Sequence, residues 1–254
     1  MIMQSQEYLL IAFIVFCRVG ACFMVLPGIS SNRIPPQVRL FLSLSVALAI
    51  TPLAAGDLHP VVTATHGYPV TIIVTELITG FLLGMLIRIF FIALEFSAAA
   101  IANFIGFGGI LGSSIEGDGM GSPIATALTL PAAALFFILD QHIQVVTLLQ
   151  NSYVSLPPEH SFDLEPTMHT IATTLGTAFK VALQVSAPLL IYSLTMNFIF
   201  GLLNKLVPQV PAYFISAPFV IVGGLAILYL LIGPMLLEFS AIVGQAISAI
   251  EKNG

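Results

Sequence analysis

The sequence predicts an all-α membrane protein of about six to seven long, kinked helices with a glycine-rich loop. Of its 254 residues, 58% are hydrophobic and only 7% are charged, whereas a typical soluble domain has about 25% charged residues. The mean hydropathy is +1.05, which excludes a freely soluble or a disordered chain. Helix is the expected conformation because an open strand leaves unpaired amides in lipid. Barrel strands alternate apolar with polar residues, and these stretches do not.

Apolar stretches follow one another along the chain, and most approach the length of about 20 residues that crosses a bilayer. They are Tyr8–Leu26, Val38–Ala55, Val70–Leu94, Phe96–Leu111, Ile124–Leu149, Ile171–Phe200 and Ala212–Leu237. The predicted connections contain Pro27-Gly28, Pro35-Pro36, Pro52 with Gly56-Asp57, Pro157-Pro158 and Pro208-Gln209. Pro188 and Gly233-Pro234 lie inside stretches and predict kinks, because proline removes a helical hydrogen bond.

Basic residues in the connections predict the orientation of the chain in the membrane. Arg33 and Arg39 lie in the first connection and Lys205 in the fifth, while the second and fourth have no Lys or Arg. With six spans, the positive-inside rule places the N-terminus outside and the basic connections in the cytoplasm. Tryptophan is absent, so the expected anchors at the membrane interface are the tyrosines Tyr8, Tyr68, Tyr153 and Tyr213.

Several charged residues lie where lipid does not tolerate them. Arg18, Glu76 and Lys180 are deep inside apolar stretches, and Arg88, Glu95 and Glu238 lie near the ends of stretches. One charge at mid-bilayer costs about 2.5–3.5 kcal/mol, so the three deep ones together cost about 8–10 kcal/mol. Pairing along one helix fails, because Arg88 and Glu95 are about 10 Å apart and Glu76 and Arg88 point about 120° apart.

The partners of these charges therefore lie on other helices, in a water-filled cavity or on other subunits. Three roles stay open from the residues alone. The charges form structural pairs within one bundle, they relay ions or protons, or they pack against other protein chains.

Residues 106–122 form a glycine-rich stretch between two apolar segments. Glycine disfavours helix by about 1 kcal/mol relative to alanine, so we expect a break here. Its glycines and large apolar residues are Gly106, Phe107, Gly108, Gly109, Ile110, Leu111, Gly112, Ile115, Gly117, Gly119, Met120 and Gly121. Irregular backbone at membrane depth survives only when it is buried in protein or lines a cavity. We interpret the stretch as an apolar plug that faces a cavity, with an ordinary exposed loop as the alternative.

Other kinds of site have little support in the sequence. No Gly-Lys-Ser/Thr follows the glycines, and Glu116 with Asp118 is far short of a calcium cage. Cys17 and Cys22 point about 140° apart on a helix, which disfavours a disulfide or a metal pair. No basic patch is present to bind nucleic acid. The histidines are scattered, and only Ser113 or Ser114 with His142 stays open as a hydrolase pairing. We expect no enzyme, no cofactor and no metal.

The order of several short motifs resembles the R subunit of the flagellar and type III secretion export gate, the FliR/SctT family. The first block runs Phe16-Cys17-Arg18-Val19-Gly20, Leu26-Pro27, Arg33-Ile34-Pro35-Pro36-Gln37-Val38-Arg39 and Thr51-Pro52. A second block runs Asp140-Gln141-His142, then Leu148 to Ser152 and on to Leu156-Pro157. The third is a predicted hairpin turn with Lys205, Pro208 and Gln209. The likeness covers nearly the whole chain.

The sequence departs from the family pattern at two places. Asp140 and Gln141 stand where the family has glycine and histidine. The middle loop lacks the usual Asp-Pro, which Ser122-Pro123 replaces. These departures affect the fine structure of the loop more than the family assignment.

The resemblance implies a structural, channel-forming component of a flagellar protein export gate in the bacterial inner membrane, at the flagellar basal body. Its helical hairpins pack into a larger subunit assembly, with apolar helices raised toward the periplasmic side. Residues 1–170 then form a P-subunit-like part, in which the glycine-rich stretch is the pore plug, and residues 171–254 a Q-subunit-like hairpin. The implied partners are P-type and Q-type gate subunits, the B-type switch subunit, the A-type export ring and unfolded substrates. The alternatives are a small-solute permease with a helix broken at the glycines, and a membrane scaffold.

Overall fold

A computed structural model describes residues 2–31, 34–64, 70–106, 123–156, 164–206 and 212–253. These residues form helices and short turns, which confirms the predicted all-α fold of six to seven helices. The helices are α1 (Ile2–Val25), α2 (Pro36–Ala64), α3 (Val70–Phe104), α4 (Pro123–Ile138), α5 (Gln141–Ser155), α6 (Leu164–Leu206) and α7 (Ala212–Asn253). Five of them are long and apolar enough to cross a membrane, and the bent pair of α4 and α5 would add a sixth span.

Local chemistry accounts for several helix ends. α2 and α4 begin at Pro36 and Pro123, and proline suits the first helical position because its missing N–H would have no partner there. α3 is followed by Ile105 and by Gly106, which has a φ of +86°. Glycine favours this left-handed conformation, and it commonly ends helices just beyond the last helical residue.

Three predicted breaks or spans differ from the observed helices, and α6 and α7 also extend beyond their predicted apolar stretches. α2 continues through Pro52 and Gly56 to Ala64. Ending the helix in an apolar environment would leave several backbone groups without hydrogen bonds, whereas one proline removes only one hydrogen bond. α3 joins the Val70–Leu94 stretch to the beginning of the Phe96–Leu111 stretch. The predicted Ile124–Leu149 span is two helices that meet at a bend of 64°. Asp140 makes this bend with a left-handed φ of 55°.

The chain divides into two compact units, and each is built from separate stretches of sequence. The first unit contains Met1–Ile89, Phe136–Leu175 and Val243–Gly254, and the second contains Phe90–Leu135 and Gly176–Ile242. In the first unit α2 packs against α1 and contacts α5. The predicted division after residue 170 into P-like and Q-like parts stays a prediction.

Two glycines bring α3 against the backbone of α1 in the first unit. A Cβ atom at Gly80 would overlap the carbonyl oxygen of Arg18, and one at Gly84 would lie 2.7 Å from the carbonyl oxygen of Cys22. Small residues four apart let apolar helices approach this closely. The two contacts advance in the same direction along both helices, so α1 and α3 run parallel.

The second unit has an apolar interior that joins α3 to α7. The rings of Phe91 and Phe239 pack edge to face with centroids 5.4 Å apart, a favourable arrangement for aromatic pairs. Both side chains are buried, as are Leu94, Ala98 and Leu236. Apolar packing therefore joins these two helices in this unit.

Gly80→Ala is expected to destabilise the first unit, because the added methyl group meets backbone atoms of α1 that have nowhere to move. The loss should be about 2 kcal/mol or more, seen as a fall of several degrees in the midpoint of thermal unfolding followed by circular dichroism in detergent. Gly56→Ala in α2 is the matched control, because nothing lies within 4 Å of its Cβ position. Equal melting temperatures for the two variants would contradict the close approach of α1 and α3.

Candidate functional site

The centre of the first unit is an ion pair between Arg18 of α1 and Glu76 of α3. The Nε of Arg18 donates to Oε2 of Glu76 at 2.6 Å, and Nη2 donates to Oε1 at 2.8 Å. Both side chains have 0% of their surface exposed. The two parallel bonds use the planar fork of the guanidinium, a geometry that an ammonium group does not offer.

The same guanidinium also binds the C-terminal end of α5. Its Nη1 donates to Oγ of Ser152 at 2.8 Å, and Nη2 donates to the carbonyl oxygen of Leu156 at 2.9 Å. The guanidinium carbon lies 4.1 Å from the centre of the Tyr153 ring, within range of a cation–π interaction. These five residues are the Arg18 cluster, which joins α1, α3 and α5.

The chemistry of the Arg18 cluster is that of a structural lock. Four donated bonds engage Arg18, and both carboxylate oxygens of Glu76 accept one. The Oγ of Ser152 donates in turn to the carbonyl of Leu149 at 2.7 Å. A buried ion pair keeps its two charges inside a protein only when further hydrogen bonds satisfy their remaining groups. The cluster meets that condition and leaves neither charge available for a reaction.

The other predicted charges are not brought together in this way. The Nη1 of half-buried Arg88 lies 3.4 Å from Oγ of Ser30. Glu238 is exposed and accepts from Nε2 of Gln184 at 2.9 Å. Glu95 and Lys180 are exposed, and within the described helices neither has an ion-pair or hydrogen-bond partner.

Some polar contacts follow from the structure and not from the sequence. Glu7 of α1 lies 3.5 Å from Nε2 of His59 in α2, and Nδ2 of Asn151 donates to Oε1 of Glu251 at 2.6 Å. The expectation that Tyr153 anchors the chain at the membrane interface is wrong, because its ring is 2% exposed and packs on Arg18. No spacing in the sequence joins these residues, since they lie on different helices.

The predicted plug and the predicted hairpin turn fall mostly outside the described residues. Gly106 is exposed at the end of α3. The plug residues Phe107, Gly108, Gly109, Ile110, Leu111, Gly112, Ile115 and Met120 lie outside the described residues. Lys205 is exposed in the last turn of α6, while Pro208 and Gln209 lie outside. Among the described residues, no three His, Cys, Asp or Glu side chains form a group able to hold a metal ion.

Burial is very uneven along the apolar helices. Of the 18 most apolar consecutive residues of each helix, 56% are buried in α3 and 50% in α1, but only 28% in α2 and α7 and 22% in α6. The faces of α6 and α7 that remain exposed carry large apolar residues. These include Leu175, Phe179, Leu183, Ile191, Leu194, Phe198, Leu206, Phe219, Val222, Tyr229, Leu230 and Leu237.

Arg18→Met is expected to destabilise the protein by about 3–5 kcal/mol, because it leaves the Glu76 carboxylate buried without a partner. Adding Glu76→Met to this variant should recover part of the loss, since the stranded charge is then gone. Arg88→Met is the matched control and should cost less than about 1 kcal/mol. Thermal unfolding in detergent measures all of these variants. The interpretation of the cluster as a lock fails if Arg18→Met and Arg88→Met unfold at the same temperature.

Comparison with known proteins shows where this architecture belongs. The family model described as bacterial export proteins, family 1, matches residues 9–246. A flagellar biosynthetic protein FliR from Caulobacter vibrioides is 27% identical over 87% of this chain and 87% of its own length. FliR from Escherichia coli is 25% identical over 93% of this chain and 89% of its own length.

A relative with a different name has a similar level of identity. The surface presentation of antigens protein SpaR from Salmonella typhimurium is 26% identical over 90% of this chain and 82% of its own length. Since the family model covers the chain from α1 to α7, the protein belongs to the family of bacterial export proteins, family 1.

Proposed function

We propose that this chain is a structural and channel-forming component of the flagellar type III protein export gate. It helps to form and plug the pore through which unfolded flagellar proteins pass, and it has no catalytic role. Family membership and the flagellar names of the relatives support this proposal. The proposed location is the bacterial inner membrane at the flagellar basal body.

The observation that carries the proposal is the length of the exposed apolar helices. The apolar part of α6, Thr167–Leu206, has 40 residues and that of α7, Ser216–Glu251, has 36. At a rise of 1.5 Å per residue these helices are about 60 and 54 Å long, but the hydrocarbon core of a bilayer is only about 30 Å thick. Even a tilt of about 40° leaves spans of about 46 and 41 Å.

Lipid therefore covers only part of the apolar surface of α6 and α7, and other protein chains cover the rest. We propose that P-type and Q-type gate subunits are the principal cover, because an apolar surface of this extent outside the bilayer is typical of an obligate interface. The B-type switch subunit, the A-type export ring and the translocating substrate are further proposed partners.

Lys180 supports the placement of α6 at such an interface. It is exposed within the apolar part of α6 and has no ion-pair partner among the described residues. A lysine in an apolar face is expensive in lipid, and an acidic group from a neighbouring subunit would neutralise it. Glu95 and Glu238 are proposed to lie at subunit contacts for the same reason.

The proposed plug consists of the apolar residues between the glycines of residues 106–122. Large apolar side chains close a pore by excluding water, and a glycine-rich backbone allows them to leave it at low cost. In the sequence the stretch connects α3 to α4, which are among the most apolar helices of the protein.

Lys180→Glu is expected to disturb assembly of the gate. Reversing the charge puts two like charges together at the proposed contact, which should lower the yield of the complex with P-type and Q-type subunits about tenfold or more on native gels. Lys180→Arg keeps the charge and is the matched control. Normal complexes with the glutamate variant would contradict the proposed contact. If the chain expressed without these subunits is stable and transports small solutes, the permease alternative is favoured.

Deletion of residues 108–114 is expected to raise ion leak through the assembled gate, because it removes Ile110 and Leu111 from the proposed plug. The measurement is conductance of the assembled complex in planar bilayers. Changing Glu116 and Asp118 to alanine is the matched control, since it keeps all of the apolar side chains. Unchanged conductance after the deletion would count against the plug and leave the scaffold alternative.

A further inference from the structure

Two consecutive glycines, Gly223 and Gly224, lie inside α7 in the second unit. Glycine is the least favourable interior residue of a helix apart from proline, and glycine-containing pairs are common places for helices to bend. These positions are therefore an intrinsically weak point of α7, in addition to the prolines Pro218 and Pro234 inside the same helix.

Each glycine also makes room for a side chain from another helix. A Cβ atom at Gly223 would overlap the hydroxyl of Tyr192 in α6 and lie 2.8 Å from its Cζ. A Cβ atom at Gly224 would lie 2.8 Å from Cγ2 of Ile105, just beyond the end of α3. Ile105 is fully buried, and the glycines form a notch that the side chains of Tyr192 and Ile105 fill.

The hydroxyl of Tyr192 also contacts the backbone of α7, one helical turn before the two glycines. It donates to the carbonyl oxygen of Phe219 at 3.0 Å and also lies 3.4 Å from that of Val220. In an α-helix, these two carbonyls accept from the amides four residues later, which belong to Gly223 and Gly224. Tyr192 is thus a second donor for the carbonyls whose helical donors are the two glycines.

We infer that α7 opens locally at Gly223–Gly224 and that the Tyr192 hydroxyl satisfies the carbonyls released by that opening. In an apolar environment an unpaired carbonyl is strongly disfavoured, and helix breaks are tolerated where a side chain supplies a new partner. The inference goes beyond the proposed function and does not depend on it.

The inference makes Tyr192 different from an ordinary helix-to-helix contact. An ordinary hydrogen bond between α6 and α7 stabilises the closed helix, so its loss increases opening. A hydroxyl that compensates the open helix has the opposite effect, because without it each opening leaves a carbonyl unpaired. Whether local opening of α7 increases or decreases when the hydroxyl is removed therefore distinguishes the two roles.

The test is hydrogen exchange measured by mass spectrometry on the full-length chain, in detergent with the subunits that purify with it. Tyr192→Phe is expected to slow exchange of peptides containing Gly223 and Gly224 about two- to tenfold, the effect of one hydrogen bond. Tyr229→Phe is the matched control, because Tyr229 is an exposed tyrosine of α7, and it should leave this exchange unchanged. Faster or unchanged exchange in Tyr192→Phe would overturn the inference.

A second comparison tests the glycines themselves. Gly224→Ala combined with Ile105→Ala, which removes the atoms that the new methyl group would meet, is compared with Ile105→Ala alone. Alanine favours the helix, so exchange at residues 223–228 should slow about fivefold. Equal exchange in the two variants would show that α7 does not open at this pair.

Discussion

The guanidinium of Arg18 has to be neutralised within an apolar bundle, and three helices meet to do it. Gly80 lies four residues after Glu76, so both face the same side of α3. One alignment of α1 and α3 therefore produces both the close contact at the carbonyl of Arg18 and the ion pair with its side chain. Ser152 and Leu156 fix the end of α5 to the same group. Displacing any of these helices separates bonds that no water in the interior would replace.

The remaining helices show the opposite balance between burial and exposure. α6 and α7 carry long apolar faces with few internal partners, whereas α1 and α3 bury about half of theirs. In a bundle surrounded only by lipid, apolar helices of roughly twice the bilayer thickness would expose apolar side chains to water. The first unit is built around one buried ion pair, whereas α6 and α7 carry the exposed apolar surface that we propose other gate subunits cover. This division suits a subunit of an export assembly.

Much of the fold follows from the sequence, because apolar stretches of this length have few alternatives to helix. Arg18 and Glu76 stood out as charges inside such stretches, but their pairing did not. Angles along one helix test only neighbours on that helix, and these residues are 58 positions apart. The break at Asp140 was not predictable either, since neither proline nor glycine occupies it. It falls where relatives were expected to have glycine, and its positive φ gives that expectation a physical reason.

The separation of the Arg18 partners along the chain also has a consequence for biosynthesis. The ribosome completes α1 long before Glu76 and Ser152 exist, with the latter 134 residues downstream of Arg18. At about 5–20 residues per second, the delay is about 7–27 s. Glu76 is only 58 residues downstream of Arg18, so the cation of α1 lacks its ion-pair partner for about 3–12 s. Until then the first helix bears the cost of one unpaired charge, about 2.5–3.5 kcal/mol at mid-bilayer, which its many apolar residues have to offset.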